Sequence, residues 1–243
     1  MPVTIIVTTN GGTMNIKIDL PEITNTKKRL EIAREVKEPQ ILEELSKDED
    51  WNVRCVVASN SSTDQDTLRK LSEDEMYSVR MEVAKNKSTD QDILRKLSED
   101  KVWEVRWAVA NNPSTDQDTL RKLSEENRDG RNFCSYMQCA IANNPSTDQN
   151  TLRKLSKDVD YNVRIEVAKN KSTDQDILRK LSEDKVWDVR YAVALNRTTD
   201  QDILRKLLED ENVLVRRAVA ENPNTERDIL RKLDDDMFCI RWR

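Results

Sequence analysis

A five-residue segment recurs along this chain at a nearly constant interval and limits the folds available to it. Four copies of STDQD begin at Ser62, Ser88, Ser114 and Ser172, and three degenerate copies begin at Ser146, Thr198 and Asn224. Successive copies are evenly spaced, except that the step from Ser114 to Ser146 is longer than the others. A fixed period of this length indicates a repeat architecture in which each unit packs on its neighbours.

Each repeat is predicted to contain two short helices. A capping-box-like pair, Thr63 and Asp66, begins the first helix of one repeat, and an LxxL pair gives that helix an apolar stripe. Val79 and Val83 form the stripe of the second helix, and Asn or Asn-Pro then ends the repeat. Helices this short are marginal alone, so neighbouring repeats must stack to bury these stripes.

The predicted fold is therefore all-α, a solenoid of about eight 26-residue two-helix repeats over residues 25–243. An irregular unit around 125–138 carries a six-residue insertion. Residues 1–24 form a separate segment in which two β-rich runs flank Asn-Gly-Gly, which predicts a short N-terminal β-hairpin. Because a lone hairpin is marginal in water, we expect it to pack on the first helices.

Residues 105–126, VRWAVANNPSTDQDTLRKLSEE, resemble the VRxxVAxNPxTPxxxLxxLxxD pattern of the leucine-rich repeat variant family, whose repeats are HEAT-like. The resemblance extends over roughly residues 35–236. It implies alternating helices stacked in a right-handed superhelix and a role in macromolecular contacts. The repeat is slightly longer than the family norm. The cysteine-rich iron–sulfur segment of some members is missing, so we expect no cofactor and no metal.

A longer duplication is superimposed on the repeat. Residues 77–110 recur at 161–194 with only four differences. The irregular unit lies between the two copies and replaces the usual Val-Arg pair with Met137-Gln138. A block of repeats was therefore duplicated around the insertion.

The composition excludes several kinds of active site. Among 243 residues there are no His and only 3 Gly. A Ser–His or Cys–His catalytic pair, an imidazole metal site and a Gly-rich phosphate loop are therefore excluded, and we expect a non-enzyme with no catalytic residue. The chain has no run of 18 apolar residues, so we expect no membrane span. The four Cys have irregular spacing, which favours reduced thiols and a cytoplasmic location.

The candidate site consists of two rows of residues on the second helices. An aromatic residue recurs two positions before the valine of the second helix, at Trp51, Tyr77, Trp103, Tyr161 and Trp187. An arginine follows three residues later, at Arg54, Arg80, Arg106, Arg164 and Arg190. Residues three apart share a helix face, and these residue types are favoured in binding hot spots, so the rows predict a partner-binding stripe. The alternative is an internal ladder in which each Arg pairs with an Asp of the Ser-Glu-Asp turn.

The insertion is a second candidate contact region. It brings Arg128, Arg131 and Phe133 into a loop that interrupts a regular array, and such loops often carry function. The alternative is a neutral scar of the duplication.

Two further rows are interpreted as structural. An Asp at the start of each first helix predicts helix capping, and an Arg-Lys pair later in the same helix predicts a solvated, salt-bridged face. These residues could instead form an acidic strip or a phosphate-tracking row.

Three functions follow from these patterns. The leading hypothesis is a protein- or peptide-binding scaffold that uses the second-helix face and the insertion loop. The first alternative is nucleic-acid binding by the aromatic and arginine stripe, which the net charge of −5 disfavours. The second is an acidic inhibitor that occupies a partner's basic cleft. Because the last repeat lacks a polar cap, a homodimer through the C-terminal end is also open.

Overall fold

The computed structural model describes residues 3–9, 12–18, 25–125, 133–226 and 228. The chain divides into two compact units, Met1–Thr115 and Asp116–Arg243. Unit 1 contains β1 Val3–Thr9, β2 Gly12–Ile18, α1 Thr26–Glu35, α2 Pro39–Leu45, α3 Trp51–Ser59, α4 Gln65–Leu71, α5 Tyr77–Lys85, α6 Gln91–Leu97 and α7 Trp103–Asn111. Unit 2 contains α8 Gln117–Glu125, α9 Phe133–Asn143, α10 Gln149–Leu155, α11 Tyr161–Lys169, α12 Gln175–Leu181, α13 Trp187–Leu195, α14 Gln201–Leu207 and α15 Val213–Glu221.

Within each unit the second helices of successive repeats pack on one another. In unit 1, α3 lies between α1 and α5, and α7 packs on α5. In unit 2, α11 lies between α9 and α13, and α15 packs on α13. The first helices contact the second helices next to them in sequence. This arrangement confirms the predicted all-α helical repeat fold; the right-handed superhelix stays a prediction.

Strands β1 and β2 pair antiparallel, from Val3 opposite Ile18 to Thr9 opposite Gly12. The two residues between them and the segment 19–24 lie outside the described residues. The packing of this strand pair on the first helices stays a prediction.

The core of each repeat consists of the apolar stripes expected from the sequence. In the repeat of α4 and α5, Leu68, Val79 and Val83 are fully inaccessible to solvent, and Leu71 is nearly so. The first helix is seven residues long and ends at Leu71, and the hydroxyl of the next residue, Ser72, donates to the Arg69 carbonyl at 2.7 Å. Such a hydrogen bond satisfies one of the carbonyls that a helix C-terminus leaves open.

Asparagines at the C-terminal ends of the second helices join successive repeats. Asn86 Nδ2 donates to the carbonyls of Ala58 at 2.8 Å and Asn60 at 3.0 Å, both in the preceding repeat. Its Oδ1 accepts from the Ser88 amide at 2.9 Å, which shapes the turn into the next helix. The same contacts within a unit are made by Asn112, Asn170, Asn196 and Asn222. The sequence pattern predicts a helix end at these positions, and the side chain additionally links each repeat to the one before it.

Candidate partner-binding surface

The arginine row forms an internal ladder between repeats. Arg80 Nε and Nη2 donate to the two carboxylate oxygens of Asp100, at 2.6 and 3.0 Å. Its Nη1 donates to the Asp74 carbonyl at 2.7 Å, so one guanidinium bridges two successive turns. The same side-chain pairs are Arg54–Asp74, Arg164–Asp184 and Arg190–Asp210. The alternative given by the sequence, pairing with an Asp of the Ser-Glu-Asp turn, is confirmed for Arg54, Arg80 and Arg164. Arg190 pairs with Asp210 of the corresponding Leu-Glu-Asp turn.

These guanidinium groups are withdrawn from the surface. The side chains of Arg54, Arg80, Arg164 and Arg190 are at most 11% exposed. A partner would have to displace an aspartate to reach them. A pair that the sequence analysis missed, Arg29 with Asp48, continues the ladder into α1 at 2.7 Å. The position of Asp48 could have predicted this pair, because Asp48 follows the helix that precedes α3 just as the other ladder aspartates follow the first helices of their repeats.

The charges of the ladder reinforce one another. Burial disfavours ionised Asp100, but the hydrogen bonds from Arg80 and the Val102 amide outweigh it and lower the pKa of the carboxyl. The pKa values of Asp184 and Asp210 are lowered by the same balance of burial against hydrogen bonds from their own arginines. The hydrogen bond that Arg80 donates to Asp100 raises the pKa of Arg80 in turn. Both members of the pairs Arg80–Asp100, Arg164–Asp184 and Arg190–Asp210 are therefore held charged.

The row continues through α7 and changes in α9. Arg106 is buried in α7, and its Nη1 donates to the Asp100 carbonyl at 2.6 Å. In α9, Gln138 stands where the other repeats have arginine, and its Nε2 donates to the Ser124 carbonyl at 3.2 Å. The ladder therefore carries an amide in place of a guanidinium at the irregular unit.

The aromatic row, unlike the arginine row, lies at the surface. Four of its side chains stand at the first position of a second helix and are 36–44% exposed, namely Trp51, Tyr77, Tyr161 and Trp187. Trp103 begins α7 and is half-buried. Trp187 also contacts Tyr191 edge to face, with ring centroids 6.2 Å apart. The two predicted rows thus separate into an interior ladder and a surface row.

A groove of about 380 Å³ lies between α3 and α5 in unit 1. It is lined by Trp51, Cys55, Val56, Ser59, Ser78, Met81 and Glu82. Glu82 accepts a hydrogen bond from the Lys85 ammonium at 2.8 Å, one turn along the same helix. The groove therefore combines an indole, aliphatic and sulfur-containing walls, and one carboxylate.

Two thiols occupy equivalent places in the two units, at the offset that relates the duplicated blocks. Burial raises the pKa of Cys55 to about 11, with a further contribution from the nearby Glu82. Burial likewise raises the pKa of Cys139 to about 11, and Glu166 adds to it. At neutral pH both thiols are protonated, so they serve as packing groups rather than nucleophiles.

The remaining sequence-predicted residues have mixed outcomes. Arg128 and Arg131 lie outside the described residues, and Phe133 begins α9 with a side chain that is also outside them. Helix capping by the Asp row is confirmed at three positions, Asp64, Asp116 and Asp148. Asp90, Asp174 and Asp200 precede their helices without a side-chain capping bond. The Arg-Lys row forms exposed ion pairs such as Lys70 with Glu43 at 2.8 Å.

Over the residues that the structure describes, no three His, Cys, Asp or Glu side chains are grouped to hold a metal ion. No helix in that part of the chain is long and apolar enough to cross a membrane.

The repeat geometry defines a helical repeat protein with the leucine-rich repeat variant fold. The chain is similar to a solved structure described as a leucine-rich repeat variant with a novel repetitive structural motif. The match has 24% identity and a TM-score of 0.56, and covers 82% of this chain and 77% of that one. This likeness establishes the fold.

Two engineered proteins of known structure also match. One is 16% identical with a TM-score of 0.41, covering 81% of this chain and 74% of that one. The other is 17% identical with a TM-score of 0.30, covering 84% and 92%. No family model and no curated protein matches the sequence.

Proposed function

We propose that this chain is a non-enzymatic cytoplasmic scaffold that binds a protein or peptide partner along its second-helix face. The exposed aromatic row carries the proposal. Large aromatic side chains are mostly buried in folded proteins, yet Trp51 and Tyr77 in unit 1 and Tyr161 and Trp187 in unit 2 remain well exposed. Tryptophan and tyrosine are also among the residues that contribute most to protein–protein binding energy.

The regular placement of the rings supports a linear recognition surface. Each ring stands at the first position of its helix, and successive second helices pack directly on one another within a unit. Packed helices are separated by about 8–10 Å, so neighbouring rings recur at roughly that spacing. A partner segment running across the helices would meet an aromatic anchor on each of α3, α5 and α7 in unit 1, or on each of α11 and α13 in unit 2.

The ladder arginines are not part of this surface, because their guanidinium groups are already bonded to aspartates. We also propose Arg128, Arg131 and Phe133 as a second contact region, because they lie in the insertion that interrupts the repeat sequence. The aromatic rings are proposed as the main contact surface for the partner, and the insertion is proposed as an additional one.

Selection of a random peptide library on the immobilised full chain tests this proposal. Selected peptides would be measured again on two surface variants, Trp51→Ser with Tyr77→Ser, and Tyr161→Ser with Trp187→Ser. We expect at least a tenfold loss of affinity in one of them, because hot-spot aromatics each contribute 2 kcal/mol or more, on the order of tenfold or above.

The matched control is Lys122→Ser with Lys180→Ser, which changes two exposed residues on first helices. Circular dichroism melts would verify that all three variants are folded. Equal binding to every variant, or a failure to select any peptide, would refute the proposal.

A further inference from the structure

The α3–α5 groove offers the three kinds of contact that a cationic side chain uses. Trp51 supplies an exposed aromatic face at 40% exposure. Val56 and Met81 supply apolar walls, and Glu82 supplies a carboxylate. Long basic side chains pack their methylene stems on apolar surface while the charged end remains bonded.

Two exposed glutamates lie in the turns before the groove helices. Glu49 before α3 and Glu75 before α5 have side chains 92% and 87% exposed, and they lie 3.9 and 4.0 Å from the ladder arginines Arg29 and Arg54. Burial is the main cause of the raised pKa of the Cys55 thiol, which lines the groove. The nearby charges add to it, because Glu82 and Asp74 raise this pKa more than Arg54 and Lys85 lower it. A cation is therefore attracted to this groove.

We propose that the α3–α5 groove binds an arginine side chain of the partner protein, with its guanidinium on the Trp51 indole and paired with Glu82. This inference rests on the proposed function, because it assigns one residue that the partner presents to the second-helix face. Arginine is favoured over lysine because its planar guanidinium stacks on aromatic faces and pairs with carboxylates through two donors.

Arginine binding would require the Glu82–Lys85 ion pair to break. Glu82 is bonded to Lys85, whose side chain is 42% exposed. Exposed pairs of this kind contribute little to stability, so the exchange of an ammonium for a guanidinium is not prohibitive.

The second unit provides a matched region that lacks one component. In α9 and α11, at the offset of the duplicated blocks, Cys139, Ile165, Glu166 and Lys169 take the places of Cys55, Met81, Glu82 and Lys85. Ser135 stands where α3 has Trp51, and its hydroxyl donates to the Asp160 carboxylate. Without an indole, this second region is not expected to bind arginine.

Nuclear magnetic resonance of the full chain with N-acetyl-arginine amide tests the assignment. The indole N–H of Trp51 and the methyl group of Met81 would be followed, with the indole of Trp187 as an internal reference. We expect saturable shifts at Trp51 and Met81, smaller shifts with N-acetyl-lysine amide, and none with the neutral N-acetyl-citrulline amide. Trp51→Ser and Glu82→Gln should each remove the Met81 shift while leaving the circular dichroism spectrum unchanged.

Equal shifts with citrulline, equal shifts at Trp187, or no saturable shift at all would overturn the arginine assignment. These results are separable from the peptide selection. Selected peptides that depend on the aromatic row, combined with no arginine binding, would refute only this inference. Arginine binding without any selected peptide would instead refute the proposed scaffold function.

Discussion

Arg80 in one repeat and Asp100 in the next are joined by two hydrogen bonds, 2.6 and 3.0 Å long, while both side chains are only 9% exposed. The pair is charged, buried and formed between residues 20 apart in sequence. Removing the pair should therefore weaken the packing between two repeats rather than the stability of a single helix.

Removing one member of this pair should destabilise the protein strongly. For Arg80→Ala we expect a loss of about 3–5 kcal/mol in the free energy of unfolding, because Asp100 is left as an uncompensated buried charge. Urea denaturation would measure it. Lys70→Ala, which breaks an exposed pair with Glu43, serves as the control and should cost less than about 1 kcal/mol. Similar losses in the two variants would contradict a buried ladder.

The ladder should also make stability depend on acid pH. The folded pKa values of Asp100, Asp184 and Asp210 are lowered, so their contribution is present above the unfolded value of about 3.9. It is lost as the pH falls below that value through the folded pKa. Urea midpoints measured between pH 7 and pH 2.5 should therefore fall mainly below about pH 4. The Arg80→Gln variant should show a shallower fall, and an unchanged slope would argue against the ladder as the cause.

The asparagine contacts predict a second class of destabilising change. Asn86→Ala leaves the Ala58 and Asn60 carbonyls without their donor, and each buried unsatisfied group costs roughly 1–3 kcal/mol. Thermal melts should show a clear decrease. Asn52→Ala is the matched control, because its exposed amide bonds only Asp50 and the effect should stay within about 0.5 kcal/mol. If Asn86→Ala lost no more stability than Asn52→Ala, water would have to satisfy the two carbonyls in place of the amide, and the proposed stabilising role of Asn86 would be wrong.

The half-buried thiols of Cys55 and Cys139 should react slowly with alkylating reagents. A pKa of about 11 leaves roughly one thiolate in a thousand at pH 8, about two orders of magnitude less than an ordinary cysteine. Iodoacetamide rates would be measured on Cys55 in a chain with the other three cysteines replaced by serine. Glu82→Gln removes a negative charge beside the thiol, so it should lower the pKa and accelerate the reaction. Rapid alkylation of the parent at pH 7 would contradict the described burial.

The repeat period, the two helices of each repeat and their buried stripes could be predicted from sequence, because Leu68, Val79 and Val83 follow helical spacing. Spacing also places Trp51 and Arg54 on one helix, but it does not say which side chain meets solvent. That depends on the Asp74 carboxylate of the next repeat, a tertiary contact.

The role of the asparagines was missed for a related reason. Local sequence indicates that Asn86 ends a helix. Because that role already accounts for an asparagine at this position, it does not suggest that the side-chain amide also donates to the preceding repeat. The signal that could reveal it is the recurrence of asparagine at this single point of every repeat, where serine or glycine would also end a helix.

The polar contacts between repeats have one more property. Those of Asn86, Arg80 and Gln65 connect residues only 20 to 28 positions apart. Because the entropy lost on closing a loop depends on its length, these junctions each require the closure of a loop of only about one repeat. The chain should therefore fold with low contact order despite its length, and inserting a whole repeat should leave the folding rate nearly unchanged while slowing unfolding.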